Sequence, residues 1–161
     1  MNWLGGLVQT HVSMGDSVLD LGCGIMQATD ELKCKSMLGC DIWPVYLNKI
    51  KDLCPVVTIS MDELDRFVDQ SYDVVICLDV IEHLKYDEKY LTEMQRIARK
   101  KLIIFTPKQF KTNEEHIENA WDLGRCEYQL HISQWPAPRL KELGFTITKT
   151  NDNGLFGVWT R

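Results

Sequence analysis

The stretch Val18-Leu19-Asp20-Leu21-Gly22-Cys23-Gly24 narrows the folds open to this chain more than any other. A short apolar run ends on an aspartate, and two glycines follow, one residue apart. That pattern predicts a buried strand running into a tight turn. Glycine is required where a backbone bends sharply or lies directly against a ligand. Open α/β sheets bind their ligands at the carboxyl ends of the strands, beside the first strand's loop. The stretch therefore predicts a site at this turn, with the remaining strands built around it. By itself it also fits an ordinary strand-to-helix turn, so the rest of the chain decides.

The rest of the chain alternates helices and strands. Residues 2–12 put Trp3, Leu4, Leu7 and Val8 near one helical face, in a helix kept short by Gly5 and Gly6. After the first strand, Ser17–Leu21, a brief helix is predicted from Met26 to Leu32. Ser36–Asp41 reads as the second strand and again ends on an aspartate. Pro44 suits a first helical turn, and Tyr46, Leu47, Ile50 and Leu53 give that helix an apolar face. Val56–Ser60 is the third strand, and Met61-Asp62-Glu63-Leu64 opens a short helix. Tyr72–Cys77 is the most apolar run and suits the sheet centre, with Asp79–Leu84 as its loop. Asp87 is the expected cap of a helix through Arg99, with Tyr90, Leu91, Met94, Ile97 and Ala98 turned inward. Lys101–Thr106 is the fifth strand. Pro136–Leu143 reads as a helix closed by Gly144. Phe145–Thr150 and Leu155–Thr160 then form a hairpin about the Asn151–Gly154 turn. The alternation predicts an α/β, doubly wound, mostly parallel sheet with one antiparallel strand from that hairpin. Residues 1–161 read as a single domain. Within it, 107–133 is polar and without a clear element, which marks a functional insertion or lid.

Composition excludes several classes of function. At 45% hydrophobic residues the chain can bury a substantial core. Eighteen basic against twenty-three acidic side chains leave a net charge of −5. Duplex-binding surfaces usually carry a basic excess, so nucleic acid is not the expected partner. No apolar run approaches the roughly 18 residues of a membrane span. Met1–Gly15 lacks the basic start and long apolar block of a signal peptide, so a cytoplasmic location is expected. Six cysteines stand at 23, 34, 40, 54, 77 and 126, and none forms a C-x-x-C pair. That spacing argues against zinc, and no metal is expected. Cys40 and Cys77 sit in strand-like apolar runs as small hydrophobes, and disulfides are not expected in a reducing compartment.

Asp20 and Asp41 end consecutive strands. A carboxylate at the end of the second strand can accept both hydroxyls of a ribose, a property shared by nucleotide-binding sheets in general. The first loop separates them. A dinucleotide site needs G-x-G-x-x-G, with the third glycine opening a helix that meets a pyrophosphate. Gln27 stands in that third position, and Asp20 would repel a pyrophosphate. An acid here favours a ligand carrying positive charge, such as an amino group and a sulfonium.

Val18-Leu-Asp-Leu-Gly-Cys-Gly24 resembles the first motif of the class I S-adenosylmethionine-dependent methyltransferases. Tyr72-Asp-Val-Val-Ile-Cys-Leu-Asp-Val-Ile-Glu-His-Leu84 resembles that family's fourth strand and following loop, and the Glu-His-Leu ending is typical of its small-molecule, type 11-like branch. The likeness covers nearly the whole chain, and the terminal hairpin matches as well. It implies a Rossmann-like sheet of about seven strands, with S-adenosylmethionine as donor and S-adenosylhomocysteine as product. It also implies that Gly22, Cys23 and Gly24 lie against the methionine part of the donor. Asp20 would hold that loop and favour the ammonium. Asp41 would bind the ribose, with Ile42 beside the adenine. Asp62 would face the adenine amino group, flanked by Met61 and Glu63, unless it is only a helix cap. Leu78 and Asp79 would border the methyl-transfer zone, unless Asp79, like Glu82, serves only at the surface or as a cap. The chain departs from the family in two places. Met26 replaces a third glycine, and the Gly24-to-Asp41 interval is short. The Asn-Pro-Pro-Tyr type of sequence found in nucleic-acid amino methyltransferases is absent, with Leu78-Asp-Val-Ile81 in its place.

Methyl transfer from a sulfonium is an in-line displacement in which the protein supplies orientation and, for a hydroxyl or ammonium acceptor, a base. Candidate bases are Asp79, His83, His116 and His131, of which Asp79 and His131 are preferred here. The family builds its acceptor site after the fifth strand, where 107–133 lies. Trp121, Tyr128 and Trp135 form either an aromatic wall for the acceptor or a core that anchors the loop. Arg96, Arg99, Lys100, Lys101, Lys108 and Lys111 form either a phosphate-binding patch or a solvated face. The expected reaction is methylation of a small-molecule oxygen or nitrogen acceptor. The alternatives are a non-catalytic S-adenosylmethionine-binding subunit of a complex and a nicotinamide-dependent oxidoreductase. An oligomer or a partner subunit is compatible with either cofactor-binding reading.

Overall fold

In a computed structural model that describes residues 2–85, 88–109, 113–149 and 154–161, the apolar runs become the strands of one sheet. They are β1 (Ser17–Leu21), β2 (Ser36–Asp41), β3 (Val56–Thr58), β4 (Tyr72–Leu78), β5 (Ala98–Pro107), β6 (Thr146–Lys149) and β7 (Gly154–Thr160). Their order is β3-β2-β1-β4-β5-β7-β6. The strands from β3 through β5 pair in parallel, and β7 runs antiparallel to both β5 and β6. The expected α/β architecture is therefore the observed one. The switch in connection direction falls between β1 and β4, where a ligand crevice opens in such sheets.

Side chains alternate across each strand, which sends neighbouring residues to opposite cores. Leu19 and Leu21 join Val75, Cys77, Leu102 and Ile104 on one face. There they meet Leu91, Met94 and Ile97 of α3 (Lys89–Ile97) and Leu140 of α5 (Ala137–Glu142). Val18 joins Val74, Ile76 and Ile103 on the other face, under Leu4 and Val8 of α1 (Trp3–Gln9). The helix α2 (Pro44–Ile50) buries Leu47 and Ile50 against Cys23 and Met26 beside β2 and β3.

Two expected helices differ. No helix joins β1 to β2, because the segment Met26–Leu32 is a chain of turns, with Thr29 and Asp30 both donating to the Met26 carbonyl. The interval is short, and Met26 sits in the left-handed region (φ 59°), which interrupts a right-handed helix. The helix expected to reach Arg99 ends at Ile97, and β5 starts at Ala98. Arg99 and Lys100 reach Asp73 and Asp16 from the extended chain, so ion pairs hold the strand where the apolar period would have continued the helix. The expected cap Asp87 lies outside the described residues, as do 151–153 of the hairpin turn. Within 107–133 the described residues include α4 (Glu114–Glu118) and short 3-10 turns.

Candidate active site at the carboxyl ends of the strands

The turn after β1 is built from backbone constraints. Gly22 has φ 70°, and a Cβ there would lie 2.3 Å from Cγ2 of Val80. No other residue fits without moving the loop after β4. The Gly22 and Cys23 amides both donate to the Cys40 carbonyl, at 2.7 and 2.9 Å, which ties the turn to the end of β2. Gly24 has φ 52°, and a Cβ there would meet nothing within 4 Å, leaving its backbone bare on the cleft. Met26 takes up the left-handed conformation of the third glycine expected of the family, and its side chain is buried against Cys23, Leu47 and Ile50.

These turns floor a cleft of about 730 Å³. Ten of the residues singled out above line it: Asp20, Gly22, Cys23, Gly24, Asp41, Ile42, Asp62, Leu78, Asp79 and His131. Asp41 accepts the Gly24 amide on Oδ2 at 2.9 Å and the Trp43 amide on Oδ1 at 2.8 Å. A carboxylate offers about four lone-pair directions, and with the Ile42 amide also turned toward it Asp41 keeps acceptor capacity for a hydroxyl. Asp20 is 2% exposed and accepts the Thr29 hydroxyl at 2.6 Å. Burial, partly offset by that bond and reinforced by the Asp41 charge, pushes its carboxyl up to about 7. Burial and the charges of Asp20 and Asp41 also push the Cys23 thiol far up, so it is no nucleophile. Asp62 is not the helix cap. Ser60 fills that position, in a capping box with Glu63, while Asp62 accepts from the Tyr90 hydroxyl at 2.9 Å and pairs with Lys89 at 3.4 Å.

The loop after β4 brings in groups distant in sequence. Asp79 takes φ 51° and donates its amide to the Phe105 carbonyl at 2.8 Å, which leaves its side chain open to the cleft. Glu82 is not a surface or capping residue. It is 2% exposed and accepts the buried Thr106 hydroxyl at 2.9 Å on Oε2. Burial raises the Asp79 carboxyl, and burial reinforced by the Asp79 charge raises that of Glu82. The segment 129–135 docks on this loop. The Ile132 and Ser133 amides donate to the Glu82 carbonyl, and the Ser133 hydroxyl and Trp135 indole donate to the Ile81 carbonyl. The docking places the His131 ring against His83, with centroids 4.8 Å apart.

The aromatic residues divide between wall and core. Trp135 is fully buried and anchors the segment, whereas the half-exposed Trp121 and Tyr128 line the cleft. Three residues of the basic stretch are held in ion pairs. Arg96 pairs with Glu93 and Asp69, Arg99 with Asp73, and Lys100 with Asp16 and Asp73; Arg99 and Lys100 lie at the opposite ends of the strands. Lys111 lies outside the described residues. From the sequence, Glu82 is open to a surface or capping role and His83 is a less favoured base. Charged residues are rarely buried, and neither residue signals its neighbours 24 and 48 positions away.

The family model described as methyltransferase domain matches residues 19–105, more than half of the chain. No curated protein sequence matches. Among solved structures, the chain is similar to a SAM-dependent methyltransferase from Archaeoglobus fulgidus (TM-score 0.67, 14% identity, 98% of this chain and 94% of that one). It is similar to a Pyrococcus horikoshii OT3 protein (TM-score 0.67, 18% identity, 98% and 87%). It is also similar to the Burkholderia thailandensis 1,6-didemethyltoxoflavin-N1-methyltransferase, solved with 1,6-didemethyltoxoflavin and S-adenosylhomocysteine (TM-score 0.69, 16% identity, 98% and 76%). At these identities the structural likeness shows the fold. The family match spans the glycine turn, both strand-end aspartates and the loop after β4, and the chain belongs to the methyltransferase domain family as a class I S-adenosylmethionine-dependent methyltransferase.

Proposed function

We propose that this domain methylates an oxygen or nitrogen atom of a small-molecule acceptor held in the cleft beneath residues 107–133. The observation that carries this reading is the cleft itself. At about 730 Å³ it lies high in the range of roughly 300–1,000 Å³ typical of small-molecule sites, which suits a donor and a modest acceptor together. The donor fits on two further observations. Gly24 leaves a bare backbone cradle on the cleft, and the buried Asp20 and Asp41 offer negative charge to an ammonium and a sulfonium. A pyrophosphate does not fit, since no helix starts after the glycine turn to receive one.

In this reading Asp41 accepts from the ribose on its remaining acceptor capacity, and Ile42 packs on the adenine. Asp62 accepts from the adenine amino group. Asp20 attracts the donor's ammonium, and Gly22, Cys23 and Gly24 lie along its methionine chain. Leu78 borders the donor where β4 ends. When bound, S-adenosylmethionine supplies an electrophilic methyl carbon. The chain's own work is orientation and exclusion of water, with Asp79 or His131 taking the acceptor's proton. Trp121 and Tyr128 offer a planar wall to the acceptor. Residues 1–161 act as one domain in this reading. No helix among the described residues is long and apolar enough to cross a membrane, and six free thiols suit a reducing, cytoplasmic setting.

Calorimetry with S-adenosylmethionine and S-adenosylhomocysteine, with NAD as control, tests the donor site. Both sulfur compounds are expected to bind and NAD is not. A small-molecule acceptor screen with the same protein then tests turnover, and donor binding without methylation of any acceptor class would favour a binding subunit.

A further inference from the structure

Glu82, His83 and His131 converge inside the cleft. One ligand atom from each lies within 4.8 Å of the other two. The three come from two segments held together by the docking of 129–135 on the Ile81 and Glu82 carbonyls, so the convergence belongs to the fold. His131 is further fixed by Asn113, whose Oδ1 accepts the His131 amide at 2.8 Å while its Nδ2 donates to the Gln129 carbonyl.

Three features distinguish the cluster from a chance meeting of polar side chains. Glu82 has one oxygen committed to Thr106, while Oε1 is buried and without a hydrogen-bond partner among the described residues. A buried carboxylate oxygen left unpaired is costly. No lysine or arginine pairs with Glu82 or with Asp79 beside it among the described residues, so two neighbouring acids lack a countercharge. His83 has its Nδ1 3.1 Å from the Leu130 carbonyl. A carbonyl only accepts, so Nδ1 carries the proton and Nε2 presents its lone pair. A backbone carbonyl fixing one imidazole nitrogen while the other faces an ion is the usual support of a histidine ligand.

We propose that Glu82, His83 and His131 bind one divalent first-row transition-metal ion at the acceptor end of the cleft. Two imidazoles and a carboxylate select such ions over calcium or magnesium, which prefer all-oxygen sites, and the absence of thiolate from the set disfavours soft ions. Donor atoms around a tetrahedral ion with bonds of about 2.1 Å stand roughly 3.4 Å apart. Binding would draw the present spacing, up to 4.8 Å, inward through rotation of the histidine and glutamate side chains. Three protein ligands leave coordination positions open, and Asp79 stands beside the set on the cleft side. The cysteine spacing that argued against zinc does not bear on a cluster made of histidine and glutamate. The use of the ion rests on the methyl-transfer reading and reassigns His131 from base to ligand, leaving Asp79 as the proton acceptor.

Manganese(II) is a suitable probe, because the six thiols compete poorly for it. Electron paramagnetic resonance on the full chain, stripped with chelator and titrated with Mn²⁺, is expected to show one saturable site per chain. Glu82→Gln and His131→Ala are each expected to weaken that site at least tenfold, and His11→Ala, outside the cleft, leaves it unchanged. Should Glu82→Gln fail to fold, the half-buried His131→Ala decides alone. No saturable Mn²⁺ binding by the wild-type chain, or binding indifferent to His131→Ala, overturns the site. S-Adenosylhomocysteine is titrated into the same metal-free sample. If it binds and Mn²⁺ does not, the metal inference fails while the donor reading stands; the converse result separates them the other way.

Discussion

The two ends of the sheet carry the same acidic residues in opposite electrostatic conditions. At the amino ends of β1 and β4, Asp73 accepts the Ser17 amide and hydroxyl, each at 3.0 Å, and pairs with Arg99 and Lys100. Asp16 beside it accepts the Ser13 amide and pairs with Lys100 at 2.6 Å. The first of these bonds, ahead of the cations, hold Asp73 down at about 2. At the carboxyl ends, Asp20, Asp41, Asp79 and Glu82 pair with no lysine or arginine among the described residues, and burial raises every one of them. One end spends its acids on joining strands. The other keeps its acids short of partners, which is the condition of a site awaiting a positively charged ligand.

Asp41→Ala tests the second half of this contrast with the largest effect on binding. If Asp41 holds the ribose as proposed, the change removes charge-assisted bonds worth about 3 kcal/mol together, and S-adenosylhomocysteine affinity should fall roughly 100-fold by calorimetry. The freed Gly24 and Trp43 amides turn to water in the cleft, so the melting temperature should drop only about 3 °C. Unchanged affinity would remove Asp41 from the donor site. Asp20→Asn comes next. Asp20 holds its proton up to about 7 in the fold but only to about 4 when unfolded. Between those values the folded state binds more protons, so this residue makes stability fall as pH rises from about 4 to 7 and level off above. The amide removes that slope. The variant should match the wild type near pH 4 and exceed it by up to about 4 kcal/mol near pH 8, measured by urea unfolding, while binding the donor more weakly. A variant less stable than wild type at pH 8 would show that Asp20 is paired after all.

The strand frame was legible because β1, β2, β4 and β5 are apolar runs closed by aspartate, glycine or proline, and both strand-end aspartates fell where the pattern put them. The failures share a physical cause. Met26 adopts a conformation suited to glycine because Cys23, Leu47 and Ile50 bury its side chain, and no local pattern announces that exchange. Glu82 stayed open to a surface or capping role because its burial depends on Thr106, on β5. His83 and His131 meet only because Ser133 and Trp135 bond the Ile81 carbonyl, a contact more than 50 residues long. Side chains whose surroundings are assembled by tertiary docking carry no periodic signal, and the acceptor end of the cleft is made almost wholly of them.

Asp73→Asn probes the other end of the sheet and carries the smallest effect. Its carboxyl is depressed in the fold, so it contributes stability that is present above about pH 4 and lost as pH falls through about 2. Arg99 and Lys100 are half exposed, and solvent screens their share. The remaining contribution, chiefly from the Ser17 amide and hydroxyl, is about 1 kcal/mol. The variant should therefore lose about that much at neutral pH, lose nothing well below pH 2, and bind S-adenosylhomocysteine as the wild type does. It thus reverses the sign found for Asp20→Asn with the same acid-to-amide change in the same sheet. Equal signs at both ends would mean that the two sets of acids are not held in opposite conditions, and the carboxyl ends would lose their electrostatic claim to a cationic ligand.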